Sequence, residues 1–171
     1  IGLNNKLPWK IKEDMNKFKK ITIGNKNNAV IMGKNTYLSL NSPLSNRTNI
    51  VVSKTLFDNI KKNQNIDNSD NIIKHNGFII CNNFKTCLHY ANVLQNFNEI
   101  WIIGGAQLYE YVIKNYNINK AYITVINENI ECNVYLEKET VNFINNCKWS
   151  NIINQKNEKY YFTFYEYINI S

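Results

Sequence analysis

The chain has 171 residues, 44% of them hydrophobic and 13% aromatic, which is enough for a buried core and excludes a disordered segment. Its net charge of +7 comes from lysines scattered through an Asn-rich background, and Arg47 is the single arginine. A diffuse excess of this kind suits a solvated surface or an anionic small molecule, and it lacks the clustered arginines of a nucleic-acid interface. Four cysteines, Cys81, Cys87, Cys132 and Cys147, have neither CxxC spacing nor histidine partners. They point to a reducing compartment and to no metal site. No apolar run approaches the roughly 20 residues of a membrane helix.

In chain order, Leu7-Pro8 reads as extended or turn, because proline has no N–H and restricts the residue before it. From about Lys12 the spacing is helical, with Ile11, Met15, Phe18 and Thr22 recurring at three- and four-residue steps. Asp14 belongs to that stripe, whereas Glu13 shares a face with Lys17 and Lys20. A carboxylate aimed at an apolar side is a candidate for proton chemistry or for gripping a cationic ligand. The alternative is a helix-start aspartate that faces water and is favoured by the dipole.

Ala29-Val30-Ile31-Met32 is a short apolar run of the kind buried in parallel sheets. Gly33-Lys34-Asn35-Thr36 follows and opens a helix from Tyr37, a layout that favours anions without being a Walker loop. Arg47 to Ser53 is a β-branched strand with Lys54 beyond it, and residues 58–76 read as a polar surface excursion. Phe78 to Cys81 is a strand, then a helix runs over about Phe84 to Leu94; His75 and His89 have no partner at ligand spacing and are read as structural. Glu99 to Ile103 is the clearest buried strand, and it runs into Gly104-Gly105-Ala106-Gln107-Leu108-Tyr109 at the start of a helix. Two glycines at such a joint let a phosphate reach backbone N–H groups. Lys120 to Ile126 is a strand, and Trp149 to Asn154 with Tyr160 to Ile168 suggests an antiparallel pair. The sum is an α/β fold: a mostly parallel central sheet, an antiparallel C-terminal edge strand and helices on both faces. Ligands of such sheets lie beyond the carboxyl ends of the strands, which groups the Asp14 helix, Gly33-Lys34, Ser53-Lys54 and Gly104-Gly105 around one crevice.

Taken in order, these residues resemble the dihydrofolate reductase family. The matching pieces are Ile1-Gly2, Leu7-Pro8-Trp9, Asp14, Phe18, Thr22, Val30 to Tyr37, Pro43-Leu44, Arg47, Ser53-Lys54, Ile102 to Gly105, Tyr109 and Ile123-Thr124. The resemblance implies a single domain over residues 1–171 that reduces dihydrofolate with NADPH and supplies one-carbon carriers. It implies that Asp14 is the acid on the pterin, Trp9 holds a water, and Thr124 bonds the carboxylate from behind. Met15, Phe18, Leu40, Leu44 and Ile103 are then substrate walls, and Arg47 takes the glutamate α-carboxylate. Lys34, Thr36, Ser53 and Lys54 face the cofactor's phosphates, the lysines near the 2′-phosphate that selects NADPH. Gly104, Gly105 and Ala106 take the pyrophosphate, with a cis Gly–Gly bond as in the family, Tyr109 lies near the nicotinamide, and Gly33, Asn35, Ile103, Gln107 and Leu108 are further cofactor-binding positions.

Tyr37 stands where the family often has Trp, and Asn133 where it has an acid, so Asn133 is expected to weaken a loop contact. The resemblance further implies a first strand ahead of Ile1. It also implies dihydrofolate and antifolate-type inhibitors as ligands, a cytoplasmic and otherwise monomeric protein, and possible fusion to a thymidylate synthase. Two rivals are a non-catalytic nucleotide-binding relative and a riboflavin-pathway reductase; Leu7-Pro8-Trp9 with Asp14 argues against the second.

Overall fold

The computed structural model describes residues 1–4, 6–66 and 71–169, which form two compact units. One unit comprises Asn16–Leu108, and the other joins Ile1–Met15 to the chain from Tyr109 onward.

The Asn16–Leu108 unit is built on a five-stranded sheet. Its strands are β1 (Asn28–Gly33), β2 (Thr48–Val52), β3 (Ile72–His75), β4 (Phe78–Cys81) and β5 (Glu99–Ile102), in spatial order β3-β4-β2-β1-β5. β1 pairs in parallel with β2 and β5, and β2 pairs in parallel with β4. Parallel neighbours need crossovers, and helices supply them. These are α2 (Lys34–Ser39), α3 (Lys54–Asn63) and α4 (Phe84–His89), the last continuing as a π-helical turn over Tyr90–Leu94. Ala29, Val30, Ile31 and Met32 are fully buried, as a central strand covered on both faces requires. Truncating such a residue to Ala costs about 2–5 kcal/mol.

The polar stretch 58–76 is more ordered than its composition suggests. Ser53 caps α3 by accepting from the Leu56 N–H at 3.2 Å, and Phe57 and Ile60 supply its buried face. β3 then pairs antiparallel with β4, with Asn76 and Gly77 at the turn between them, both at positive φ. Residues 67–70 of that stretch lie outside the described residues. His75 contacts Gln64 through Nδ1 and Asn76 through Nε2, each at 3.1 Å.

The other unit holds an antiparallel sheet of β6 (Lys120–Ile126), β7 (Asn151–Lys156) and β8 (Tyr161–Ile168), in order β6-β8-β7. The α/β class and the mostly parallel sheet agree with the sequence reading. The antiparallel edge of that sheet, however, is β3, and the C-terminal pair belongs with β6 in the second sheet. The cause is one of pairing: among the described residues neither β5 nor β6 has a strand on its second edge. Ile11, Tyr160, Phe162 and Phe164 form this unit's core, with Trp9, Ile126 and Ile130 packed on it.

Two further helices carry residues singled out in the sequence. α1 (Lys12–Ile23) has Glu13 and Asp14 in its first turn and Lys20 in its last, each matching the helix dipole, and ends at Gly24 with φ +47°. α5 (Ala106–Asn115) opens directly after the glycine pair. No helix among the described residues is long and apolar enough to cross a membrane.

Candidate active site

Asp14 is half-buried, and its Oδ1 accepts a 2.6 Å hydrogen bond from the Thr124 hydroxyl of β6. Thr124 sits on the sheet face whose neighbouring strand carries Phe162 and Phe164, the same core that receives Ile11 and Trp9. The first turn of α1 is thereby held where its carboxylate meets the strand hydroxyl. Glu13, the adjacent acid, is exposed and accepts from Asn157 Nδ2 at 3.3 Å. The two carboxylates are thus sorted as the periodicity requires. Met15, on the same turn, is 48% exposed.

Asn133 does not leave its loop contact unmade. It accepts from the Asn4 N–H at 3.1 Å and donates through Nδ2 to Asn4 Oδ1 at 2.8 Å. The Asn133 and Val134 N–H groups both donate to the Gly2 carbonyl, at 2.9 and 3.0 Å. An acid could accept from Asn4 but could not return a bond, whereas Asn133 forms a reciprocal pair with it. Tyr109, at the border of this unit, has its hydroxyl pushed up to about 12 by desolvation.

In the Asn16–Leu108 unit the glycines come together. The Gly33 N–H at the end of β1 donates to the Gly104 carbonyl at 2.7 Å, and the peptide between Gly104 and Gly105 is cis. Gly104 has φ +120°, a conformation side chains rarely adopt. Thr36 Oγ1 lies 3.9 Å from where a Cβ on Gly105 would stand. Lys34, Asn35 and Thr36 form the first turn of α2. α5 begins with Ala106 and exposed Gln107, while buried Leu108 donates its N–H to the Gly105 carbonyl at 2.9 Å. Ser53 stands between β2 and α3, its N–H on the Cys81 carbonyl at 3.0 Å, and Lys54 beside it is exposed.

The remaining predicted residues also lie in this unit. Leu40, Leu44 and Ile103 are partly buried on the core formed by Val30, Met32, Val51 and Phe78. Leu40 also lines a cavity of about 260 Å³ with Tyr37, Pro43 and Phe78. Arg47 donates through Nη1 to Thr22 Oγ1 at 2.7 Å and through Nε to the Ser45 carbonyl at 3.0 Å. Its guanidinium lies 5.7 Å from the Phe18 ring centroid, and burial lowers its pKa without removing its charge. One residue went unread at sequence level: Asn49, an amide inside the β-branched run of β2, bonds the loop that carries Leu44 and Arg47. An amide in an otherwise apolar buried strand was the available signal.

Glycines and cations at the ends of β1, β2 and β5, over an open parallel sheet, define an α/β protein of the class that binds its ligands at strand carboxyl ends. A family model for dihydrofolate reductase matches residues 1–169, and the chain belongs to that family. It is 34% identical over 139 residues to a bifunctional dihydrofolate reductase–thymidylate synthase of Paramecium tetraurelia, covering 81% of this chain and 26% of that protein. It is 32% identical over 144 residues to a dihydrofolate reductase of Ureaplasma parvum, covering 84% of this chain and 78% of that one. In fold it is similar to an Enterococcus faecalis dihydrofolate reductase solved with NADP(H) and RAB-propyl, at a TM-score of 0.75, 22% identity, and coverage of 100% of this chain and 89% of that one.

Proposed function

We propose that this chain acts as one dihydrofolate reductase domain over residues 1–171, reducing dihydrofolate to tetrahydrofolate with NADPH. The observation that carries the reading is the Thr124–Asp14 bond: a lone, half-buried helix carboxylate held at 2.6 Å by a strand hydroxyl, within a chain of this family.

The residues fit the cofactor by their chemistry. Lys34 and Lys54 supply cations, Thr36 and Ser53 supply hydroxyls, and the Gly104–Gly105 turn leads into the start of α5, whose N–H groups suit pyrophosphate oxygens. When bound, NADPH supplies the hydride. Asp14 accepts from the 2-amino group and N3 of the pterin, orients the ring and assists the proton that reaches N5, and Trp9 holds the water that relays it. Thr124 keeps one carboxylate oxygen bonded, so the other faces the substrate. Met15, Phe18, Leu40, Leu44 and Ile103 exclude water from the pterin and benzoyl parts, and Tyr109 would meet the nicotinamide. Arg47 takes the glutamate carboxylate with the N–H groups that Thr22 and Ser45 leave free.

The same reading makes the protein cytoplasmic and monomeric, with antifolates as competitive ligands. A thymidylate synthase partner is favoured by one observation, the match to a Paramecium protein whose name carries both activities.

The test follows NADPH absorbance with the purified full chain. Consumption should depend on dihydrofolate and fall severely in Asp14→Asn with folding retained, since a positioned proton-transfer group contributes about 10²–10⁴-fold. Glu13→Gln should change little. Equal effects of the two substitutions, or no turnover in the folded wild type, would refute the reading.

A further inference from the structure

Asn49 is 3% exposed, and its side chain is spent on backbone that comes before it in sequence. Its Oδ1 accepts from the Leu44 N–H at 2.9 Å, and its Nδ2 donates to the Leu44 and Arg47 carbonyls, both at 2.9 Å. One amide thus ties the two ends of the Leu44–Arg47 loop to β2, whose register on β1 is set by Asn49 opposite Val30. Between those ties lies Ser45, whose carbonyl takes the Arg47 Nε, and Asn46, at φ +60°. The guanidinium is therefore located from two sides. Thr22 and Phe18 on α1 meet it from the helix, and Asn49 fixes the backbone it grows from.

A guanidinium has five N–H donors in a rigid fork. Here Nε and one N–H of Nη1 are used internally, so the Nη2 group and the second Nη1 hydrogen are left to meet an anion. An exposed arginine on a mobile loop would give a carboxylate little, because ordering it costs what the pair gains. An arginine whose loop is already tied down avoids that cost.

We propose that Asn49 is a positioning residue for recognition of the substrate's carboxylate tail, acting through the Leu44–Arg47 loop. This rests on the dihydrofolate reductase reading. It predicts that Asn49 serves the glutamate-bearing end of the ligand and leaves the pterin end alone. A residue that merely holds the fold would affect both ends together.

The test compares two ligands: dihydrofolate, and dihydropteroate, which is the same compound without its glutamate. KM from turnover and Kd from calorimetry are measured for wild type, Asn49→Ala, Arg47→Ala and the double variant, with the full chain. Wild type should bind dihydrofolate more tightly than dihydropteroate. Asn49→Ala should weaken dihydrofolate by about tenfold, the lower end of the loss of one charge-assisted hydrogen bond, and leave dihydropteroate within about twofold. In the Arg47→Ala background the same substitution should leave the ratio of the two ligands unchanged, since the tail no longer has a fork to meet.

Asn49→Asp covers poor folding of the Ala variant. It keeps the acceptor for Leu44, sets a carboxylate against two carbonyls, and should lower the ratio in the same direction. An unchanged ratio in Asn49→Ala, equal weakening of both ligands, additivity with Arg47→Ala, or a wild type indifferent to the glutamate would each overturn the proposal. Wild type that shows the calorimetric preference without turnover would overturn the reductase reading and leave the role of Asn49 to be read from Kd alone.

Discussion

Substituting Thr124 by Val tests the Asp14 assignment without touching the acid. Valine replaces the hydroxyl by a methyl of nearly the same volume, so the β6–β8 pairing of Thr124 with Phe164 is preserved. What disappears is one short O–H···O bond to a carboxylate, 2.6 Å long. Hydrogen bonds to charged groups contribute about 1.5–3 kcal/mol. Asp14 and Thr124 are only half-buried, so water can recover part of that, and the lower end is the better figure. About 1.5 kcal/mol corresponds to roughly a tenfold change. On the proposed mechanism kcat/KM for dihydrofolate should fall about tenfold, while the KM for NADPH stays near the wild-type value, because the Thr124 hydroxyl is bonded to the acid. Steady-state kinetics with each substrate varied in turn gives both numbers, and a thermal melt separates them from unfolding. A Thr124→Val enzyme with wild-type kcat/KM, beside an Asp14→Asn enzyme that is severely impaired, would show that the bond does not orient the acid. Equal losses for both substrates would show that it serves the fold instead.

Changing Lys34 and Lys54 together to Ala should raise the KM for NADPH about tenfold and barely move that for NADH, since only the former carries the extra phosphate; equal effects on both would dismiss the lysines as discriminators. Glu110 provides a pH test. Partial desolvation works against its charge, but N–H bonds from Glu139 and Thr140, at 2.9 Å each, the Thr140 hydroxyl at 3.1 Å, and Lys114 outweigh it and lower its pKa below 4.5. A depressed carboxyl stabilises the fold above its unfolded pKa and loses that contribution as pH falls through the folded one. Glu110→Gln should therefore lower Tm at neutral pH, with the gap to wild type closing as acidification protonates the carboxyl; a gap independent of pH would refute the role of its charge.

What the sequence disclosed and what it withheld divide along a physical line. β1, β2, β5 and β6 were read to within a residue or two; a strand buried on both faces must be continuously apolar, and Ala29–Met32 or Ile50–Val51 can be little else, whereas the residues of β5, which reads as the clearest buried strand, are only half-buried, and β6 has no buried residue. α3 and β3 were missed because their apolar content is thin. Two buried residues, Phe57 and Ile60, carry the helix, and the edge strand buries Ile73 alone, each surrounded by Asn and Lys. β7 was found from an alternation that burial does not explain, since all six of its residues are exposed.

The site divides in the same way. Positions read from local motifs, such as Gly33, Gly104-Gly105 and the sorting of Asp14 from Glu13, need only a strand end or one helical turn to be recognised. The contacts that hold them are of another kind: Thr124 meets Asp14 across 110 residues, and Arg47 meets Thr22 across 25. Neither pairing has a local signature, because a hydroxyl on a strand is common and its partner is chosen by the packing. Asn49 is the instructive case between them. Its bonds reach back only five residues, yet they form only because β2 holds its amide beneath the loop; the strand supplies the geometry and the loop supplies the unpaired backbone groups. A buried amide in a β-branched run thus marks a stretch of neighbouring backbone that must be held still, and here that stretch carries the chain's single guanidinium.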